Sequence, residues 1–131
     1  MAEHAPIPAE LELSGREIID AAVKVHKAMG PRLLESVHET CMVHELTTRG
    51  LRVQRQLEVP IECDGLKLAS GLRLDMLVEG AVVVELKAVE RLEAVHQAQL
   101  LSCLRLTRVR LGYLTNFTVP LLRDGIRRIV C

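Results

Sequence analysis

Residues 74–88 read LDMLVEGAVVVELKA, and this stretch decides how the centre of the chain folds. Two apolar runs are separated by Glu79–Gly80, a pattern that predicts two strands joined by a tight turn. Residues two apart in a strand point to the same face, so Glu85 and Lys87 share one face. Asp75 and Glu85 are equally distant from the turn, so pairing of the two strands would bring these two acidic side chains together.

Two carboxylates held close together repel each other, and without a counter-ion one of them takes up a proton. A divalent cation removes this conflict, and oxygen ligands of this kind suit Mg²⁺ or Mn²⁺. Such a metal lowers the pKa of a bound water and neutralises the charge that builds on a phosphate. With Lys87 on the same face to orient the water or stabilise the transition state, the residues indicate metal-assisted phosphodiester hydrolysis. In the alternative interpretation, Lys87 only neutralises Glu85 or Asp75 in a structural ion pair, and spacing alone leaves both interpretations open.

Helical and strand patterns surround this stretch and predict an α+β or α/β domain with a mixed sheet. Residues 1–13 lack periodicity and are predicted as a loose N-terminal tail, and residues 14–131 are predicted as a single domain. Apolar spacing predicts a first helix that begins with Ser14 as its N-cap and a second helix from about 33 to 49.

The other elements follow from changes of period along the chain. Residues 51–59 alternate apolar and polar side chains and predict a strand that ends at Pro60, and Asp64–Gly65 predicts a hairpin turn. Residues 91–106 return to helical spacing, and residues 109–117 predict another strand, followed by a short turn and a final strand. The residues predicted to be buried in the second helix are Leu34, Val37, Cys41 and Leu46. Those predicted to be buried in the third helix are Leu92, Val95, Ala98, Leu101 and Leu104.

The amino-acid composition favours a globular protein and argues against several other classes of protein and site. The chain has 131 residues, 49% of them hydrophobic and 26% charged, which suits one globular domain with an apolar core. Only Tyr113 and Phe117 are aromatic, so a surface that stacks several nucleobases on aromatic rings is excluded. Four cysteines without a C-x-x-C pair predict reduced thiols and no zinc site. Because no apolar segment is of the signal-peptide or membrane-spanning type, we expect a cytoplasmic protein that does not enter a membrane.

Charge is distributed unevenly along the chain, although the formal net charge is zero. Residues 100–131 contain six arginines and one acidic residue, against eleven basic and sixteen acidic residues in the other 99. A local basic surface can attract phosphate without a basic total. The arginines expected to follow a nucleic-acid backbone are Arg105, Arg108, Arg123 and Arg127. The alternative for each of them is an ordinary solvated face.

Several segments together resemble a known protein family. They read LLESVHE, RLDMLVE, VVVELKAVE, HQAQLLSCL, LGYLTNF and LLRDGIRR, and they extend from about Ser14 to Val130. This set is similar to the GxxExxY protein family, a small branch of the PD-(D/E)XK nuclease superfamily. The resemblance implies a restriction-endonuclease-like αβββαβ core, with a mixed sheet flanked by helices and a divalent-metal site that takes Mg²⁺ or Mn²⁺.

The resemblance also implies roles for single residues. By this resemblance Asp75 and Glu85 bind the metal, and Lys87 is the catalytic lysine. Glu35 matches the Glu of the motif that names the family and would complete the metal site, with the carbonyl oxygen of Leu86 as a further ligand. Without the resemblance, Glu35 is explained as an acid in the first helical turn, where it suits the helix dipole.

A further match concerns Gln99, which corresponds to the glutamine of a Q-x-x-x-Y element resembling that of RecB-like and phage-type exonucleases. Gln99 is therefore expected to assist catalysis at the substrate phosphate or the attacking water. The chain departs from the family pattern at several positions: Arg32 replaces a Gly, His38 replaces a Tyr, Cys103 replaces the Tyr of Q-x-x-x-Y, and Leu74 replaces the Pro of the PD motif.

The sequence thus predicts a cytoplasmic, metal-dependent hydrolase that cleaves the phosphodiester bonds of DNA. The Q-x-x-x-Y resemblance favours an exonuclease, acting on DNA that is single-stranded or has free ends. Two alternatives remain open, a catalytically inactive nucleic-acid-binding module and a self-assembling structural protein with the nuclease fold. The high apolar content of so small a chain also leads us to expect a homo-oligomer.

Overall fold

A five-stranded mixed sheet forms the centre of the protein, with two helices on one face and one helix on the other. The computed structural model describes residues 5–131, apart from the side chains of residues 69 and 70. In chain order the elements are α1 (Ala9–Met29), α2 (Glu35–Thr48), β1 (Val53–Cys63), β2 (Leu66–Val78), β3 (Val82–Lys87), α3 (Ala94–Thr107), β4 (Leu111–Asn116), a 3-10 helix (Leu122–Gly125) and β5 (Ile126–Val130). The predicted mixed α/β fold with flanking helices is confirmed.

The strand order is β1-β2-β3-β4-β5, so each strand pairs with its neighbours in sequence. All pairs are antiparallel except β3 and β4, which are parallel. Parallel strands need a long connection, and α3 supplies it by crossing one face of the sheet. As a result β3 and β4 end side by side, with Lys87 opposite Asn116.

The three valines of β3 are explained by burial on both faces of the sheet. Val82 and Val84 pack in the larger core beneath α1 and α2, and Val83 packs in the smaller core beneath α3. A strand covered on both sides needs apolar side chains on both sides, so a continuous run replaces the usual alternation.

The first helix begins six residues earlier than the sequence predicts, with Pro8 and not Ser14 as its N-cap. It starts at Ala9, after Pro8, and the predicted cap Ser14 lies inside it. Glu10 and Glu12 in the first turn suit the helix dipole, and Leu11 packs against the core, so residues 9–13 are helical and not a loose tail. Residues 1–4 of the predicted tail lie outside the described residues. Within residues 5–131 no helix combines the length and the apolar character needed to cross a membrane.

The buried faces of α2 and α3 differ from the predicted stripes. In α2 the buried residues are His38, Glu39, Met42 and Leu46, and Leu34 is 73% exposed before the helix begins. In α3 the buried residues are Leu100 and Leu104, and the predicted core residue Val95 is 55% exposed. Apolar residues occur around most of the circumference of α3, so spacing alone did not identify the face that meets the sheet.

Two features of the β1–β2 hairpin also bear on the sequence predictions. The strand β1 does not end at Pro60 but continues to Cys63, with a register shift between Val59 and Ile61. Proline is tolerated here because β1 is an edge strand and the ladder is already irregular. The predicted turn at Asp64–Gly65 is present, and both of its residues have positive φ, as a tight hairpin turn requires.

A buried ring stack joins the helical layer to the end of β4. The ring of His38 in α2 lies 4.4 Å from the ring of Phe117, at an interplanar angle of 11°. His38 Nε2 also donates a hydrogen bond of 3.0 Å to the carbonyl oxygen of Gly30, and His26 Nε2 donates one of 2.8 Å to that of Val119. These contacts fix the position of α2 relative to the ends of β3 and β4.

Replacing Phe117 by Ala is expected to lower the free energy of unfolding by about 3–5 kcal/mol, because it removes a buried ring and leaves a cavity. Urea denaturation of the two proteins measures the difference. Leu121→Ala is the control, since Leu121 is 53% exposed and Phe117 is 2% exposed. The control is expected to change stability by no more than about 0.5 kcal/mol. Similar losses in both variants would contradict the anchoring role of the ring.

Candidate active site

The ladder between β2 and β3 ends where the two acidic residues stand. Its last backbone pair is Met76 with Val84, and the same register places Asp75 opposite Glu85. At this position the Asp75 N–H donates to Glu85 Oε1 (3.2 Å), and the N–H of Leu86 donates to Asp75 Oδ2 (2.8 Å). Each carboxylate therefore accepts a backbone hydrogen bond from the opposite strand, and the structure brings Asp75 and Glu85 together as the turn symmetry predicts.

The ladder between β1 and β2 is interrupted at the same level. Arg55 pairs with Met76 and Leu57 pairs with Leu74, but the intervening Gln56 and Asp75 form no backbone pair. Gln56 has a φ of +49°, in the left-handed region that costs a residue with a Cβ atom about 1–2 kcal/mol. Asp75 is thus released from regular pairing on both of its neighbouring strands.

The Gln56 side chain links α2 to Asp75. Its Nε2 atom donates to Glu39 Oε1, and its amide lies near enough to the carboxylate of Asp75 to offset a small part of the effect of burial, which raises the pKa of that group. Glu39 is buried and also accepts a hydrogen bond of 2.8 Å from Arg55 Nη2. Sequence analysis assigned no role to Glu39 or Gln56. Glu39 could have been found because it lies one helical turn after Glu35, whereas no sequence pattern indicates a left-handed Gln in a strand.

Burial and mutual repulsion make the acidic side chains harder to ionise. Burial, and then the charge of Asp75, raise the pKa of Glu85 to about 7. Burial is also the main cause that raises the pKa of Asp75 and that of Glu35. The charge of Lys87 lowers the pKa of all three carboxyl groups without reversing these shifts. Three carboxyl groups therefore interact electrostatically with a single lysine at this site.

The ion pair required by the alternative interpretation of Lys87 is not formed. Within residues 5–131, Lys87 has no carboxylate oxygen within 4.0 Å of its ammonium group. Lys87 is half-buried on the same face of β3 as Glu85, and it acts on the acids through its charge alone. Its ammonium group is therefore free to contact a water molecule or a substrate.

Two openings lie near the carboxylate pair formed by Asp75 and Glu85; one is lined by α2 and β1, and the other is lined by β2, β3 and α3. The α2 pocket, of about 210 Å³, is lined by Glu35, Ser36, Glu39 and Gln56. The α3 groove, of about 460 Å³, is lined by Leu72, Glu85, Val95, Ala98, Gln99, Ser102, Cys103 and Leu106. Gln99 thus lies in the same opening as Glu85, and burial followed by the charge of Glu85 raises the pKa of the Cys103 thiol.

Two polar residues of β4 form side-chain hydrogen bonds to the backbone of β3 and of the segment that follows it. Sequence analysis did not identify either residue. Thr115 Oγ1 donates to the carbonyl oxygen of Glu85 (2.9 Å). The fully buried Asn116 binds both backbone groups of Val89, accepting at Oδ1 (3.2 Å) and donating from Nδ2 (2.7 Å). These bonds fix the chain on both sides of Lys87. The available signal was a Thr-Asn pair at the end of an otherwise apolar strand.

The four predicted phosphate-contacting arginines do not converge on the carboxylate pair. Arg105 and Arg108 lie at the end of α3, and Arg123 lines a separate cavity against α1. Arg127 donates to the carbonyl oxygens of Asp124 (3.1 Å) and Ile126 (3.0 Å). None of the four lines the α3 groove or the α2 pocket.

A metal ion at this site would need ligands beyond the acidic side chains. Within residues 5–131, no group of three or more His, Cys, Asp or Glu side chains is placed to hold a metal ion. Asp75 and Glu85 nevertheless offer oxygen atoms on adjoining strands, and Glu35 is close enough for its pKa to respond to Asp75. Mg²⁺ is commonly bound through one or two carboxylates, with waters and substrate oxygens completing its octahedron, so this donor set is of a suitable kind.

The raised pKa of Glu85 predicts a pH-dependent stability in metal-free buffer. Between pH 4.5 and about 7 the folded protein keeps a proton that the unfolded chain has lost, so the free energy of unfolding falls as the pH rises. The expected loss is about 3 kcal/mol. Glu85→Gln should flatten this slope, and Glu90→Gln, which replaces an exposed acid, should keep it. Urea denaturation at several pH values measures the slopes, and an unchanged slope in Glu85→Gln would contradict the assignment.

The left-handed conformation of Gln56 predicts that glycine at this position gives a more stable protein than alanine, the reverse of the usual order within a strand. Gln56→Gly should be about 1 kcal/mol more stable than Gln56→Ala, because both lose the amide but only glycine adopts this φ without strain. The same pair of substitutions at Gln54, which lies in the regular part of β1, should favour alanine. Thermal or urea unfolding of the four variants decides the question. Equal ranking at both positions would show that Gln56 is not strained.

Comparison with known protein families agrees with the geometry of the site. A family model of the PD-(D/E)XK nuclease superfamily matches residues 12–129. This range includes the strands that carry Asp75 and Glu85 and the helices on either side of them. No curated protein and no solved structure matches the chain. Because the family model covers most of its length, the chain belongs to the PD-(D/E)XK nuclease superfamily.

Proposed function

We propose that this protein is a Mg²⁺- or Mn²⁺-dependent deoxyribonuclease of the GxxExxY branch, and that it removes nucleotides from DNA ends. The observation that carries the proposal is the bonding of Asp75 and Glu85 across the end of the β2–β3 ladder, with Lys87 on the face of Glu85. Two acids and an unpaired ammonium group at one sheet end are the functional groups that phosphodiester hydrolysis needs.

Nucleases of this superfamily use a divalent metal, usually Mg²⁺ or Mn²⁺. Asp75 and Glu85 would be its side-chain ligands, and Glu35 and the carbonyl oxygen of Leu86 would supply further oxygens. When bound, the cation supplies charge neutralisation at the phosphate and acidifies a bound water. Burial and then nearby carboxylates raise the pKa values of Glu35, Asp75 and Glu85, and a cation at this position would favour their charged forms, which supports the proposal.

Lys87 would orient the attacking water and stabilise the negative charge that develops on the phosphate. Its position supports this role, because Thr115 and Asn116 hold the backbone before and after it. Gln99 would contact the substrate phosphate or the same water from the side of α3. Its presence in one groove with Glu85 supports this assignment.

End-dependent cleavage is proposed from the resemblance of the α3 segment to the Q-x-x-x-Y element of exonucleases. Cys103 lies in the same groove as Gln99, as the tyrosine of that element would by its spacing, but a thiol replaces the hydroxyl group. Arg105 and Arg108 at the end of α3 would follow the DNA backbone, with Arg123 and Arg127 as more distant contacts. Binding through such arginines weakens as salt rises.

Asp75→Ala and Lys87→Ala are expected to abolish DNA hydrolysis in different ways. Asp75→Ala should lose Mn²⁺ binding, measured by calorimetry, because it removes a metal ligand. Lys87→Ala should still bind Mn²⁺ but hydrolyse DNA at least 100-fold more slowly, because its role begins after the metal is bound. Lys67→Ala, which changes an exposed lysine of the β1–β2 hairpin, is the matched control and should retain full activity.

Labelled linear and circular DNA with Mg²⁺ or Mn²⁺ are the substrates for this comparison. Hydrolysis of linear DNA alone supports the exonuclease, and hydrolysis of both forms indicates an endonuclease. Metal-dependent binding of DNA by the wild-type protein without hydrolysis would replace the proposal with an inactive binding module.

A further inference from the structure

The α3 groove is apolar, although it begins at the carboxylate of Glu85. Four of its eight lining side chains are aliphatic, Leu72 of β2 and Val95, Ala98 and Leu106 of α3, and the other four are Glu85, Gln99, Ser102 and Cys103. No lysine or arginine is among the lining residues. Its volume of about 460 Å³ lies within the usual range of small-molecule sites.

Two apolar side chains of this groove, Val95 and Leu106, are largely exposed to solvent, whereas Leu72 packs partly against the core. Val95 is 55% exposed and Leu106 is 50% exposed, and no segment of the described chain covers them. In the same helix Leu100 and Leu104 are buried against the sheet. The helix α3 therefore has a second apolar face, which opens beside the candidate active site.

The two sides of the carboxylate pair differ in chemical character. The α2 pocket contains two acids, Glu35 and Glu39, and the α3 groove contains one acid at its edge and aliphatic side chains beyond it. A cation with its phosphate belongs at the carboxylates, where the negative charge is concentrated. An anionic phosphate has no cationic partner inside the α3 groove, so the groove suits an uncharged part of the substrate.

We propose that the α3 groove binds the base and sugar of one unpaired nucleotide next to the scissile phosphate, so that the substrate is a single strand or an unpaired end. This inference rests on the proposed nuclease function. A nucleotide presents a flat apolar base beside its phosphate, which matches an apolar groove beside the carboxylate pair. The Ser102 hydroxyl and the Gln99 amide can donate to or accept from the polar edge of the base.

The preference for unpaired substrate follows from the cost of opening a duplex. A paired base is stacked inside the helix, and extruding it costs a few kcal/mol, which an already unpaired base does not require. The groove lacks aromatic rings, so it holds one nucleotide through aliphatic contacts and does not stack a longer run of bases.

Filling the groove tests the proposal. The probes are a fluorescent single-stranded DNA dodecamer, the same strand with one abasic nucleotide at its end, and the blunt duplex, with Ca²⁺ for binding and Mn²⁺ for hydrolysis. The wild-type protein should bind the intact single strand at least tenfold more tightly than the other two. Ala98→Phe should lose this preference, and Ala94→Phe, an exposed alanine of the same helix outside the groove, should keep it.

A second pair of variants covers the case in which Ala98→Phe does not fold. Val95→Asp places a charge in the groove and should reduce binding of the single strand at least tenfold. Leu121→Asp makes the same change at a similarly exposed leucine, 53% against 55%, on another surface, and should have no such effect. Calorimetric titration with Mn²⁺ reports whether the carboxylate pair is intact in each variant.

The outcomes separate this inference from the nuclease proposal. Equal binding of single strand and duplex, or equal binding by Ala98→Phe and Ala94→Phe, would overturn the groove assignment even if DNA is hydrolysed. Binding that depends on Ala98 but is never followed by hydrolysis would support the groove and remove the nuclease activity. A wild-type dimer in light scattering that Ala98→Phe dissociates would overturn the inference, since the groove would then be a contact between copies of the chain.

Discussion

The arrangement of Asp75 between two interrupted ladders is the constraint on which the rest of the site depends. In a regular antiparallel ladder the backbone N–H groups at this level would bond to backbone carbonyl oxygens, and the two carboxylates would lie side by side on one face of the sheet. Here the backbone N–H groups of Asp75 and Leu86 bond to carboxylate oxygens instead. The opening leaves few polar groups unsatisfied, since no buried side-chain nitrogen or oxygen in the described part of the chain lacks a hydrogen-bond partner.

The concentration of acids at this opening works against the stability of the fold. Glu85 and Asp75 are partly desolvated and repel each other, and only part of that repulsion is offset by Lys87. Arg55 and Gln56 hold Glu39 by hydrogen bonds, and the charge of Glu39 adds to the repulsion by raising the pKa of Asp75 and of Glu35. A domain that used these positions only for stability would carry apolar or paired residues, so the arrangement is characteristic of a site selected for chemistry.

Much of the fold and the centre of the candidate site could be predicted from local rules. The two strands, their turn at Glu79–Gly80 and the meeting of Asp75 with Glu85 follow from the alternation of side chains and from symmetry about the turn. The faces of α2 and α3 could not be predicted in the same way, because apolar residues on several sides of a helix leave its orientation to tertiary packing. His38, a polar residue in the core, stacks on Phe117, which follows β4 and is distant from α2 in the sequence.

The supporting residues were harder to predict than the reactive ones. Gln56 adopts a backbone conformation that nothing in a polar strand segment indicates, and its importance is apparent only from its bonds to residues in other elements. Asn116 is 27 residues from Val89, whose backbone it holds. Such long-range bonds between a side chain and the backbone produce no periodic pattern of residues, so they cannot be predicted from the sequence.

The parallel pairing of β3 with β4 has a consequence for the newly made chain. This pair forms only after α3 has crossed the sheet, and contacts between such distant segments form late and slowly in folding. Until then Thr115 and Asn116 cannot hold the segment that carries Glu85 and Lys87. Before that stage the β2–β3 hairpin can already bring Asp75 and Glu85 together, but the backbone on either side of Lys87 lacks the bonds from β4 that hold it in the finished fold.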